Sequence, residues 1–255
     1  MGQPRMSEPS ERYLDLLKKV LTNVIYEDPP VTSDWYQGHS YDVRDRSLGL
    51  DWPSVAHTMV GLRRLDNVRQ CVERVLADGV PGDFIETGVW RGGVCIFVRG
   101  VLAVHGVWDR RVWLADSFRG MPVVTPAGHG EDYALRLHRH NGVIAVSQET
   151  VRQNFERYGL LDEQVRFLPG WFRDTLPAAP IERLAVMRLD GDLYESTMDA
   201  LTHLYPKLSV GGYVIVDDYL IGVCREAVRD FREAEGISDP IEDIDGVGVY
   251  WRRGR

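Results

Sequence analysis

The chain has 255 residues, 44% hydrophobic and 27% charged, with a formal net charge of -8. That composition belongs to an ordinary soluble protein with enough apolar material for one large domain or a domain with an appendage. The acidic balance argues against a nucleic-acid backbone as partner, which calls for a basic surface. No run of the sequence approaches membrane-spanning length.

In chain order, Leu14, Leu17, Leu21 and Val24 form an apolar stripe that predicts a helix from near Ser10 to Tyr26. From Asp28 to Pro53 the chain turns polar, with Pro29-Pro30, Gly38 and Gly49. So long an irregular stretch reads as a binding loop or an arm packing on another subunit. A second helix is predicted from Ser54 to about Ala77, with Val68, Cys71, Val72 and Val75 on its inner side. Both helices precede the first strand, so residues 1–79 read as a helical extension and residues 80–255 as the core domain. An α/β alternation then begins. Asp83 to Glu86 is a short strand, followed by a helix from Val94 to about Val104, and Val112 to Ala115 is a second strand ending at Asp116. Arg119 to Ser147 carries Pro122, Pro126, Gly128, Gly130, His129, His138 and His140, with a short helical pattern around Tyr133 to His140; it reads as an active-site lid. A helix from Gln148 to Tyr158 leads to a third strand, Val165 to Leu168, and Asp174 to Pro180 is a short crossover. After two further strands, Cys224 to Glu235 forms the last helix, and Ile241 to Trp251 alternates about Asp245-Gly246 as a hairpin. The polar amino terminus shows no signal segment. Cys71, Cys95 and Cys224 have neither CxxC nor zinc spacing. They read as core thiols of a reducing compartment, so a cytoplasmic location is expected.

The two strands before the last helix carry the strongest chemical signal. Leu184 to Leu189 reads as a buried parallel strand that ends in Asp190-Gly191-Asp192. Gly211-Gly212 start a second run, Tyr213 to Val216, which ends in Asp217-Asp218. Strands joined by one crossover helix usually lie side by side, about 5 Å apart, and open α/β sheets bind ligands at this carboxyl edge. Converging carboxylates with no basic residue read among them suit a hard divalent cation such as Mg²⁺; either pair alone also suits a helix cap.

Between the first strand and its helix, Glu86-Thr87-Gly88-Val89-Trp90-Arg91-Gly92-Gly93 is glycine-rich without the full GxGxxG spacing. An acidic strand end suits the positively charged amino acid portion of S-adenosylmethionine better than a pyrophosphate. Asp116 is placed to accept hydrogen bonds from ribose hydroxyls, as it would be in a nicotinamide enzyme. Trp171 and Phe172, after the third strand, read either as a cover for an adenine ring or as core aromatics. Five parallel strands closed by an antiparallel hairpin, about seven strands with a helical extension in front, is the α/β architecture of class I methyltransferases.

Val55-Ala56-His57-Thr58-Met59, Glu86 to Gly93, Ala115-Asp116-Ser117-Phe118, Phe167 to Phe172, Met187 to Asp192 and Val216 to Tyr219 resemble segments of the macrocin O-methyltransferase family. Members methylate deoxysugar hydroxyls on tylosin, mycinamicin and novobiocin, and the resemblance runs from about Tyr13 to Arg252. It is strongest to the novobiocin type at Gly49 to Ser54 and at Asp192-Leu193-Tyr194-Glu195-Ser196-Thr197. The departures fall in the Asp28–Asp51 and Arg119–Ser147 loops, where acceptor contacts belong. The resemblance implies S-adenosylmethionine held by Thr58, Met59, Glu86, Thr87, Gly88, Trp90, Arg91, Gly93, Asp116, Ser117, Phe118, Trp171 and Phe172. It implies Mg²⁺ on Asp190, Asp217 and Asp218, a glycosylated small-molecule acceptor meeting Tyr194, and a homo-oligomer; His138, placed in the lid, reads as an alternative base, a sugar contact or a surface histidine with no role.

A sugar hydroxyl is a poor nucleophile, and chelating two neighbouring hydroxyls on a metal lowers the pKa. Asp190 is then the first choice of base, Asp192 the second. The rival readings are a catechol-type O-methyltransferase using the same metal logic, a donor-binding protein without turnover, and a dehydrogenase, in which the acidic pairs would have no work.

Overall fold

The structure, a computed structural model, describes residues 7–125 and 128–254; Pro126, of the expected lid, lies outside them. The first helix, α1 (Glu8–Leu21), is capped by Ser7, whose side chain accepts from Ser10 N–H, and buries Leu14, Leu17 and Leu21. It stops short of the expected Tyr26. Thr22 Oγ1 donates to Lys18 O at 2.9 Å, and Asn23 takes a left-handed φ of 53°, which diverts the backbone. Within the stretch read as irregular, α2 (Val43–Leu48) is capped by Asp42 and ended by left-handed Gly49. The next helix, α3 (Leu62–Ala77), begins at Gly61 rather than at Ser54. The intervening backbone is used elsewhere: His57 N–H donates to Leu21 O at 2.9 Å and His57 O accepts from Gly93 N–H at 3.0 Å.

Then come β1 (Asp83–Thr87), α4 (Gly93–Val104) and β2 (Val112–Asp116). The lid segment holds α5 (Gly130–Leu135), a 3₁₀ turn (Leu137–His140) and α6 (Asn141–Ile144). After it follow α7 (Gln148–Arg157), β3 (Val165–Pro169), α8 (Phe172–Thr175), β4 (Leu184–Leu189), α9 (Tyr194–Leu204), β5 (Leu208–Val216), α10 (Gly222–Ala234), β6 (Glu242–Asp243) and β7 (Val249–Arg252). The seven strands form one sheet in the order β3-β2-β1-β4-β5-β7-β6. Pairings from β3 through β5 are parallel, and β7 runs antiparallel between β5 and β6. The expected terminal hairpin is therefore present, closed around Asp245-Gly246 with Gly246 N–H bonded to Asp243.

One apolar layer joins Leu14, Leu17 and Leu21 of α1 and Leu65, Val68 and Val72 of α3 to Phe97 and Val101 of α4 and to the sheet. The other layer packs α9 and α10 on the opposite face through Leu201, Leu204, Val228 and Phe231. Strand order reverses between β1 and β4, so the crevice of this doubly wound sheet opens at their carboxyl ends. Among the described residues, no helix is long and apolar enough to cross a membrane.

Candidate active site

A cavity of about 810 Å³ opens over the switch point. Its floor is the carboxyl edge of β1, β2, β4 and β5. One wall comes from residues 49–60, and lid residues Met121, Val123, Val124, Leu137 and Ile144 form an apolar side.

On the β1–β2 half the backbone builds the site. Gly88 has φ 85°, and a Cβ there would lie 1.7 Å from Asp190 O, so only glycine lets the ends of β1 and β4 approach so closely. Asp116 Oδ2 accepts from Val89 N–H at 2.8 Å and Oδ1 from Phe118 N–H at 2.7 Å. Burial outweighs these amides and raises its pKa above the ordinary value. Glu86, buried at the end of β1, pairs with Arg188 and accepts from Cys95 Sγ at 3.0 Å. Burial pushes its pKa up to about 7, against the pull of Arg188.

On the β4–β5 half the carboxylates face one another. Asp190, Asp192 and Asp218 bring carboxylate oxygens within 4.8 Å of one another. Burial raises all three pKa values: Asp190 to about 6, with the charge of Asp217 adding to the rise against the pull of Arg188; Asp192 to about 7, with Asp190 and Asp217 adding; and Asp218 well above its ordinary value, with Asp192, Asp190 and Asp217 adding. Asp217 is different. Burial alone would raise it, but Arg188 and Arg64 hold its pKa below the ordinary value. The expectation of no basic residue among the acidic ends is thus overturned. Arg188, the last residue but one of β4 and fully buried, reaches Glu86, Asp190 and Asp217. Arg64 of α3 bridges Asp217 and Asp245 and donates to the Leu48 and Gly49 carbonyls at 3.0 Å. Both oxygens of Asp217 thus meet guanidinium, Oδ1 that of Arg188 and Oδ2 that of Arg64, whereas the close group of Asp190, Asp192 and Asp218 carries the uncompensated charge. Hard oxygen donors crowded within 4.8 Å, with too few counter-ions among them, fit a divalent cation.

Of the residues expected to meet the donor, Thr58, Met59, Glu86, Gly88, Trp90, Asp116, Ser117, Trp171 and Phe172 line the cavity. Thr87, Arg91, Gly93 and Phe118 stand behind it. Arg91 donates to the carbonyls of Pro53, Ser54 and Ala56, bracing the Thr58-Met59 loop. Gly93 bonds His57 O, Phe118 packs on Phe167 at 6.0 Å between ring centroids, and Thr87 is buried. Neither residue expected to meet the acceptor is in the cavity lining. The Tyr194 ring stacks on His129 and its hydroxyl donates to Asp230 at 3.2 Å, while His138 sits in the 3₁₀ turn. The acceptor wall instead exposes Trp35, Leu50, Trp52 and the apolar lid residues.

Sequence reasoning missed Arg64 and Arg188. The signal for Arg188 was available, because an arginine inside an otherwise apolar strand needs carboxylate partners wherever it is buried.

A class I methyltransferase sheet with its crevice at the β1/β4 switch point defines this protein's class. Residues 10–253 match the macrocin-O-methyltransferase (TylF) family, and the chain belongs to it. It is 67% identical over 240 residues (94% of this chain, 92% of the relative) to the 8-demethyl-8-(2,3-dimethoxy-alpha-L-rhamnosyl)-tetracenomycin-C 4'-O-methyltransferase of Streptomyces olivaceus. It is 57% identical over 248 residues (96% and 95%) to the demethyldecarbamoylnovobiocin O-methyltransferase of Streptomyces niveus. The solved structure of the O-methyltransferase NovP superposes with a TM-score of 0.93 at 57% identity, covering 96% of this chain and 100% of that one.

Proposed function

We propose that this enzyme transfers a methyl group from S-adenosylmethionine to a hydroxyl of a deoxysugar on a glycosylated natural product, with Mg²⁺ at the acidic edge. The observation that carries this reading is the two-ended cavity, acidic at β4–β5 and apolar at the lid, over a backbone-built pocket at β1–β2. The donor-side residues that line the cavity hold the donor: Glu86 faces its charged amino acid portion and Asp116 the ribose, with Trp171 and Phe172 against the adenine. Asp190, Asp217 and Asp218 would hold the cation, which would supply charge stabilisation at the reacting oxygen.

The chain's own groups do the rest. Asp190 is paired with Arg188 at 2.8 Å, which makes it the poorer base. No basic residue pairs with Asp192 among the described residues, its pKa stands near 7, and it lines the cavity. Asp192 is therefore the better proton acceptor, reversing the order expected from sequence. The tetracenomycin relative is named for methylating the 4'-oxygen of a rhamnose already methoxylated at positions 2 and 3. That acceptor has no free hydroxyl beside the reacting one, so the acceptor proposed here is a deoxysugar whose neighbouring oxygen is a hydroxyl or an ether, in place of a strict diol.

Exposed Tyr13, Leu16, Ile25 and Tyr26 support self-association through the amino-terminal helices, and the free buried cysteines support a cytoplasmic location. The deciding assay uses tritiated methyl donor against panels of glycosides and catechols, before and after chelation. Turnover on glycosides that disappears with chelator and returns with Mg²⁺ is expected. Faster methylation of simple catechols, or full turnover without metal, overturns the reading.

A further inference from the structure

The lid is tied to the catalytic edge by one buried carboxylate. Helix α9 starts two residues after Asp192, and its cap position, Leu193, has no side-chain acceptor for the free amides of the first turn. Those amides are taken from 62 and 63 residues earlier in the chain. Asp132, in the first turn of α5 in the lid and only 1% exposed, accepts from Tyr194 N–H at 2.7 Å through Oδ1 and from Glu195 N–H at 3.1 Å through Oδ2. The bond is returned, because Glu195 Oε1 accepts from His129 N–H at 3.1 Å. This is a capping box assembled between two distant segments. The His129 ring lies flat on the Tyr194 ring, 4.2 Å between centroids and 5° between planes, with Glu226 of α10 at 3.9 Å from Nε2. Tyr194 is fastened in turn to Asp230 of α10.

The α9 end has little slack. Asp192 sits at a left-handed φ of 57° and donates its N–H to Asp218 Oδ2 at 3.0 Å, while Leu193 N–H turns back to Gly191 O at 2.6 Å. A lid that lets go of Tyr194 and Glu195 uncaps α9 and frees the backbone that sets Asp192 against Asp218. We propose that Asp132 is a positioning residue: it latches the lid onto the amino end of α9, so that lid closure and the geometry of the Asp190-Gly191-Asp192 turn are set together.

This inference rests on the methyltransferase reading for its kinetic arm alone. Arg136 and Arg139, exposed in the lid, are tryptic sites, and exposed Arg74 on α3, away from the latch, serves as the reference cut. In Asp132→Ala the lid cuts should come about tenfold faster than in wild type, the scale of a lost cap, with cleavage at Arg74 unchanged. On a glycoside acceptor kcat should fall about tenfold while calorimetric affinity for S-adenosylmethionine holds. Asp132→Asn, which keeps one acceptor oxygen, should restore part of both. If Asp132→Ala does not fold, Glu195→Ala, which leaves the cap and removes only the return bond from His129, must still speed the lid cuts. Unchanged lid cleavage in the folded variant, or cleavage at Arg74 rising in step, overturns the latch. A fall in kcat that Asp132→Asn does not relieve overturns its coupling to the catalytic edge. Were no glycoside methylated by the wild type, the proposed function would fail while the cleavage arm still tested the latch.

Discussion

The two halves of the crevice floor solve the same problem in opposite ways. At β1–β2 the buried acids are answered by protein: backbone amides for Asp116, a guanidinium and a thiol for Glu86. At β4–β5, Asp217 is answered by Arg64 and Arg188 and Asp190 by Arg188, but Asp192 and Asp218 have no basic partner among the described residues and repel their neighbours. A site complete in itself is poised for a ligand that brings its own hydrogen-bond donors, such as a ribose. A site with surplus negative charge is poised for a cation. The contrast teaches that a cluster of strand-end acids is informative only after its internal counter-ions are counted.

The sharpest test of that contrast neutralises one surplus acid. Asp218→Asn should lower kcat by about 10²–10³-fold, since metal stabilisation of the developing charge is worth several kcal/mol. Calorimetric donor affinity should remain, because the β1–β2 half is untouched. Loss of donor binding in this variant would mean the two halves are not separable.

Arg188 comes next because it serves both halves. Arg188→Met removes the arginine of buried Glu86 and one of the two arginines of buried Asp217, and stranding a buried charge costs about 3–5 kcal/mol. Urea unfolding should show that loss. An unchanged midpoint would place the compensation for Glu86 somewhere other than β4.

On the donor side the effect should be smaller. Asp116→Ala should weaken S-adenosylmethionine binding by about 1.5–3 kcal/mol, the scale of a hydrogen bond to a charged group. The same change frees the Val89 and Phe118 amides, so Asp116→Asn, which retains an acceptor, should recover part of the loss. Calorimetry reading equal affinities for wild type and Asp116→Ala would remove the ribose assignment.

What could be read before the structure follows the same division. Alternating apolar runs ending in acids placed the strand ends correctly, because period and turn residues are local signals. The glycine turn at Gly88 was also visible, although its reason, the approach of Asp190 O, is a tertiary one. Arg188 was hidden inside a run read as apolar, and Arg64 lay on a helix whose inner face was read from Val68 onward. Their meaning exists only once β4, β5 and α3 meet. The helix expected from Ser54 failed for a similar reason: the amide and carbonyl of His57 bond Leu21 and Gly93, partners a local pattern cannot show. Tyr194 and His138 were assigned from a motif and from a lid, and neither assignment carries the direction in which a side chain points.

The smallest expected effect concerns that same loop and tests whether the donor half is rigid without its ligand. His57 is partly buried, with its Nδ1 2.7 Å from Tyr158 Oη, and burial, then Arg91 and Arg157, pull its pKa down from 6.5 to about 4. A histidine whose folded pKa is depressed binds its proton more readily in the unfolded chain. Its contribution to stability is therefore present above pH 6.5 and is lost as pH falls from there through 4. In His57→Gln the ring cannot protonate, so between pH 6.5 and 4 the melting temperature should fall less steeply than in wild type. The difference should be about 2–4 °C, the scale of one kcal/mol in a protein of this size. Calorimetric melts at matched ionic strength would measure it, since Arg91 and Arg157 act partly through screened space. Parallel curves for the two proteins would mean His57 titrates alike folded and unfolded. The Thr58-Met59 loop would then be open to water before the donor arrives, and the donor half would be no more self-sufficient than the acidic one.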